Sequence, residues 1–259
     1  MIKYEVFMID THAHLLCFEN VDEIVSSMKD DGLEIVVNIG TTVSDSKQGV
    51  MLAEKNKNVY TTVGIYPEYA SDVNEDDLKQ LEILAQHQKV VAIGEIGLDY
   101  HSDGFDKEKQ KEILVKQLEI ADKLGLPFCL HCRAAAGDLF EVLSENKHLI
   151  NHSGLMHCYS EGKEWVQKFL DLGLYISFSG NITYKKSDRS FLKDVPLDKI
   201  VVETDAPYLS PEPLRGRKNQ PKNVRLTAEK IANELDIPFE EFEKITTENA
   251  KRFYFKIKD

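Results

Sequence analysis

Two histidines, His12 and His14, close a short apolar run in the segment Asp10-Thr11-His12-Ala13-His14. In an extended chain alternate side chains leave the same face, so both imidazoles can converge on one divalent cation. A hydrogen-bonded or solvated pair has the same spacing, and His-x-His alone does not separate the two. The placement recurs, however. Glu95 follows Val90-Val91-Ala92-Ile93 after the single residue Gly94, where a buried carboxylate must be paired with an arginine or bind a cation. Cys129-Leu130-His131-Cys132-Arg133, Met156-His157-Cys158-Tyr159 and Glu203-Thr204-Asp205-Ala206-Pro207 each put an imidazole or carboxylate at the end of another apolar run. His12, His14, Glu95, His131, His157 and Asp205 thus form one candidate set of nitrogen and oxygen donors. Such a set suits Zn²⁺ or Mn²⁺, and Mg²⁺ where carboxylates and water dominate.

For these residues to meet, the runs that carry them must end at one place. Candidate strands are Val6–Ile9, Ile35–Ile39, Tyr60–Val63, Val90–Ile93, Pro127–Leu130, Gly154–Met156, Leu174–Phe178 and Ile200–Val202. They are continuous apolar runs, as expected of parallel strands covered on both faces. Amphipathic stretches separate them. Asn20 and Glu23 have capping-box spacing ahead of Ile24, Val25 and Met28, with Gly32 as the stop. Leu114, Leu118 and Ala121 share a helical face ended by Gly125, and Val166, Phe169 and Leu170 do the same before Gly173. Two further helices are expected around Leu226–Leu235 and Phe239–Phe253. Eight alternating units in 259 residues without a linker predict one domain over residues 1–259, an α/β chain closed as a single (β/α)8 barrel. In that fold functional groups cluster at the C-terminal ends of the strands, where all six donors fall.

Other chemistries find little support. There is no Gly-x-Ser-x-Gly elbow, P-loop or Gly-x-Gly-x-x-Gly fingerprint. Cys129 and Cys132, three apart on a strand, point to opposite faces, which argues against a zinc or redox pair. Four cysteines, no membrane-length apolar run and no signal-like start in Met1–Asp10 predict a cytoplasmic protein with reduced thiols. A formal net charge of -12 argues against a broad footprint for duplex DNA but leaves room for a local basic groove.

With these segments in order, the chain resembles the TatD-type metal-dependent deoxyribonucleases of the amidohydrolase-like barrels over essentially its full length. The resemblance rests on Asp10-Thr11-His12-Ala13-His14, Gly94-Glu95-Ile96-Gly97-Leu98-Asp99-Tyr100, Leu130-His131-Cys132-Arg133 and His157-Cys158-Tyr159-Ser160. Its most specific parts are Glu203-Thr204-Asp205-Ala206-Pro207-Tyr208-Leu209 and Arg215-Gly216-Arg217-Lys218-Asn219-Gln220-Pro221. It implies two divalent metal ions, one held by His12, His14 and Asp205, the other by His131 and His157, with Glu95 bridging. Asp205 and Glu95 are then the expected catalytic residues, Asp205 accepting a proton from the attacking water. Ala134, Glu161, Gln220 and His101 depart from the family's usual pattern without removing an expected ligand.

The expected substrate is DNA, single-stranded and trimmed from an end, because a single strand can thread a barrel mouth that excludes a duplex. Arg133 and Tyr100 are expected to touch it, with Arg215, Arg217 and Lys218 from a basic segment that also holds Lys222 and Arg225. Lys185, Lys186 and Arg189 form a second basic cluster, and Tyr66, Tyr159 and Tyr208 are further stacking candidates. No membrane or specific protein partner is expected. The alternative is a metal-assisted deacylase or amidohydrolase acting on an ester or amide, including one carried by tRNA, since the same centre polarises a carbonyl.

Overall fold

A computed structural model describes residues 8–101 and 104–258. Eight strands run parallel in one sheet: β1 (Met8–Ala13), β2 (Leu33–Asn38), β3 (Val59–Val63), β4 (Val90–Asp99), β5 (Phe128–Arg133), β6 (Gly154–Met156), β7 (Tyr175–Phe178) and β8 (Ile200–Val202). Each pairs with the next in sequence order. The ring closes at the C-terminal end through a parallel bridge between Ala13 and Ala206. There Asp205 N donates to His12 O at 2.9 Å, and His14 N to Ala206 O at 2.7 Å. The fold is a (β/α)8 barrel.

The expected strands are all present, with their ends moved. Val6 and Phe7 of the first run lie outside the described residues. β1, β4 and β5 extend past their apolar cores, so His12, Glu95 and His131 sit inside strands rather than on the loops beyond them. The ladder continues because these residues still pair across it, Gly97 with His131 and Asp99 with Arg133.

The helices are α1 (Val21–Ser27), α2 (Val43–Lys55), α3 (Glu75–Ala85), α4 (Lys107–Leu124), α5 (Ala136–Glu145), α6 (Lys163–Asp171), α7 (Val224–Glu234) and α8 (Phe239–Phe253). Among the described residues no α-helix joins β7 to β8. Three short 3₁₀ turns do so, which breaks the expected alternation there. At the start of α1 the Asn20 side chain makes no backbone cap. It bonds Glu23 Oε2 at 3.0 Å instead, so the predicted capping box is not formed. A capping box does open α3, between Asn74 and Asp77. Gly125 ends α4 in the left-handed conformation its position required, at φ 64°.

Apolar residues divide between two layers. The larger lies between strands and helices and takes Leu114, Leu118 and Ala121 of α4 and Val166 and Phe169 of α6. A second cluster takes Ile35, Val37, Val91, Cys129, Leu155, Tyr175 and Val201 from the strands, with Phe253 and Tyr254 from the end of α8. Tyr254 bonds both Thr11 O on β1 (3.0 Å) and Cys129 Sγ on β5 (3.1 Å). Strands one and five face each other across an eight-membered ring, so this phenol sits inside the barrel. The second cluster is therefore the barrel's own filling.

Candidate metal centre

All six predicted donors meet at the C-terminal mouth. Two of them are aimed by irregular pairing. Between Ile93 and Ile96 strand β4 takes three steps while β5 takes two, from Phe128 to Leu130. Between Asp10 and Ala13 strand β1 likewise gains one residue on β2. Glu95 falls in the first bulge and His12 in the second, and a bulge redirects a side chain without ending the strand. Asp205 lies beyond β8 with φ 55°, a left-handed conformation that aspartate tolerates better than most residues.

The donors converge in three overlapping groups: His12, His14 and Glu95; Glu95, His131 and His157; and His12, His157 and Asp205. Glu95 belongs to two of them through different oxygens. Its Oε2 lies 3.6 Å from His12 Nε2 and 3.9 Å from His14 Nε2. Its Oε1 lies 3.0 Å from His131 Nδ1 and 2.9 Å from His157 Nε2. Asp205 Oδ1 is 3.3 Å from His14 Nε2 and 3.7 Å from His12 Nε2. His12 is fully buried, and neither of its ring nitrogens has a hydrogen-bond partner. An orphaned buried nitrogen facing two carboxylates fits a cation ligand. The residues present suit a divalent metal.

Two carboxylates without an assigned role orient the second histidine pair. Asp99 Oδ2 lies 2.9 Å from His131 Nε2, and Tyr66 donates its phenol to the same oxygen at 2.8 Å. Glu203 Oε1 lies 3.2 Å from His157 Nδ1. Carboxylate–histidine pairs of this kind fix ring tautomer and orientation around metals. Both residues stand in the quoted motifs, but only contact across strands reveals their function. Asp10 acts differently, accepting from Thr204 N at 2.9 Å and Thr204 Oγ1 at 2.5 Å and so tying β1 to the segment that carries Asp205.

The charges follow from this packing. Burial opposes ionisation of Glu95, yet the facing His157 charge and the imidazoles of His12, His131 and His157 around it hold its pKa well below the usual range. Burial also works against protonation of His14 and His131, but their carboxylate partners outweigh it and raise both. For His12 burial and the nearby His157 charge prevail, and its pKa falls. Burial pushes Asp10 up to about 8 despite its hydrogen bonds.

The mouth encloses a cavity of about 830 Å³ lined by His14, Glu95, His131, His157 and Asp205, with Arg133, Tyr66, Tyr69 and Tyr208 among its walls. Of Arg133, Tyr100, Arg215, Arg217 and Lys218, Arg133 alone lines it, together with the stacking candidates Tyr66 and Tyr208. Tyr100 instead donates to Asp138 at 3.0 Å and sits under Lys107. Arg215 stacks on Tyr184 at 4.2 Å. Lys218 donates to Cys17 O and lies over Phe18, beside the rim. Arg217 is exposed, and its carbonyl accepts from Ser210. Lys222 and Arg225 are not at the mouth: they border a crevice with Met8 and Leu33, at the N-terminal ends of β1 and β2. The segment is long enough to run from the mouth down the barrel wall to α7. Tyr159 is buried and bonded to Gly162 O. Cys129 and Cys132 are both free, the first buried and the second in the cavity wall.

Residues 9–255 match the profile of the family described as TatD related DNase. The chain belongs to that family. It is 36% identical to the uncharacterized metal-dependent hydrolase YabD of Bacillus subtilis (strain 168), over 95% of this chain and 98% of that one. It is 35% identical to the uncharacterized metal-dependent hydrolase YcfH of Escherichia coli (strain K12), over 96% of each. The crystal structure of YJJV, a TatD homologue from Escherichia coli K12, superposes with a TM-score of 0.89 at 26% identity, covering 96% of this chain and 98% of that one. This places the protein among the metal-dependent hydrolases of TatD type. No helix among the described residues is long and apolar enough to cross a membrane.

Proposed function

We propose that the protein is a phosphodiesterase that trims single-stranded DNA from an end, using two divalent cations held at the barrel mouth. The observation that carries this reading is Glu95, whose two oxygens face two different histidine pairs. His12, His14 and Asp205 would hold one ion and His131 and His157 the other, with Glu95 shared. Bound in this way, divalent cations acidify water and polarise a phosphoryl oxygen.

The protein's own groups complete the arrangement. Burial resists ionisation of Asp205, but its bond to His14 and the surrounding imidazoles keep its pKa below the usual range. It is therefore an ionised acceptor beside the reacting position, placed to take a proton from water. Asp99 and Glu203 hold His131 and His157 in register. Arg133 offers a planar cation to a phosphate in the cavity. Four free thiols suit a reducing compartment, and we place the reaction in the cytoplasm.

The test is degradation of end-labelled single-stranded DNA by protein stripped of metal and reloaded with Mg²⁺, Mn²⁺ or Zn²⁺. Metal-dependent laddering that disappears in Glu95→Ala supports the reading and gives the direction of digestion. Inert wild type with every metal, in protein that still binds metal, would overturn it and bring ester and amide substrates forward.

A further inference from the structure

The cavity is divided by charge. In the eight-stranded ring, β2 and β3 face β6 and β7 across the mouth. The β2–β3 wall carries Asp45 and Glu68, and no lysine or arginine of that sector lines the cavity. The opposite side carries Ser160 after β6 and Asn181 after β7, with Arg133 beside them at the end of β5. Exposed Lys185 and Lys186 follow the 3₁₀ turn after β7, and Arg215 stacks on Tyr184 in the same loop. Glu161, the nearby carboxylate, is not among the lining residues.

Two exposed aromatic rings bracket the acidic wall. Tyr69 is 45% exposed and Tyr208 55%, and of the exposed large side chains among the described residues these two line the cavity. Each is linked to the metal-ligating histidines through ring contacts. Tyr208 meets His14 edge-on at 5.8 Å, and Tyr69 meets Tyr66, which in turn meets His131 at 4.8 Å.

We propose that the β2–β3 wall is a subsite for the unphosphorylated terminal nucleoside of a nucleic-acid strand, its base stacked by Tyr69 and Tyr208, while the remaining phosphates leave along the Arg133 side. The inference rests on the phosphodiesterase reading above. A nucleoside is neutral, has a π-face for the tyrosines and offers sugar hydroxyls as donors to carboxylates. A terminal phosphate would instead be brought against Glu68 and Asp45, with no lysine or arginine on that wall to offset it. Asp45 is the more committed of the two, since its Oδ2 already accepts from Thr41 N and Oγ1 at 2.9 Å each. Glu68 is the freer carboxylate.

The test compares one single-stranded oligodeoxynucleotide in three forms: both ends hydroxyl, phosphate at the 3′ end, and phosphate at the 5′ end. With the activating metal, phosphate at the end being trimmed should lower kcat/KM by roughly tenfold. Glu68→Lys should erase most of that ratio. Stacking is read separately, on metal-stripped protein that cannot turn over, with 2-aminopurine as the terminal base. Its fluorescence should be quenched by wild type and recover in Tyr69→Ala and Tyr208→Ala, with apparent affinity down roughly tenfold. An active wild type that ignores the terminal phosphate overturns the inference and leaves the phosphodiesterase reading intact. An unquenched probe overturns the stacking role. Wild type inert on all three forms with every metal overturns both readings together.

Discussion

Tyr254, the residue immediately after the last helix, donates its phenol to Thr11 O at 3.0 Å, from inside the barrel and directly beneath His12. The hydroxyl also lies 3.1 Å from Cys129 Sγ, so one side chain ties β1 to β5 below the donor cluster. Tyr254→Phe keeps the ring and removes both contacts. Leaving Thr11 O unpaired in a dry interior should cost about 1–3 kcal/mol, read as a lower midpoint in urea with an unchanged slope. An unaltered midpoint would mean that this bond is not made.

Glu95 is the residue on which the metal stoichiometry turns. Because its oxygens face both histidine pairs, Glu95→Gln should weaken binding at both positions, whereas His131→Ala should affect one. Metal content after dialysis against buffered Zn²⁺ separates the two cases. Full retention of metal by Glu95→Gln would remove the shared-ligand assignment.

Asp99 and Glu203 touch histidines and not the reacting groups. Asp99→Asn and Glu203→Gln should each lower metal affinity by about 10–100-fold while preserving the fold. Competition with a chromogenic chelator measures the loss. Affinity equal to wild type would reduce these contacts to packing.

Removing the metal should also lower thermal stability. At a free ion concentration of a hundred times Kd, each bound ion stabilises the folded state by about 2.7 kcal/mol. Chelator should therefore shift the melting temperature downward, and the shift should shrink in Glu95→Gln. Identical melting with and without chelator would contradict a preformed centre.

Gly97 has φ 139°, and a Cβ there would collide with His131 O. Neither the conformation nor the space admits a side chain, since the obstacle is backbone of the paired strand. Gly97→Ala should destabilise severely and displace His131. Gly32→Ala, at φ 77° but with open space, should cost only about 1 kcal/mol. Similar melting temperatures for the two variants would refute the close approach.

The sequence by itself determined the strand positions, the helix faces and the donor types, because each is a local signal. Apolar runs such as Val90–Ile93 mark buried parallel strands, and Leu114, Leu118 and Ala121 mark a helix face without reference to the rest of the chain. The six donors were legible as residues at strand ends. Their grouping was decided by tertiary structure. One added residue in β1 and one in β4 set the faces of His12 and Glu95, and a slip of one residue in a strand reverses every side chain after it. No spacing rule brings Asp99 to His131 or Glu203 to His157, since these contacts arise only when separate strands align around a ring. The same holds for the basic segment after Leu214. Its charge was visible, but whether a lysine faces the mouth or the far end depends on the path of the loop. Lys218 stays beside Cys17 at the rim, and Lys222 descends to Asp31 because the chain must return down the barrel to begin α7.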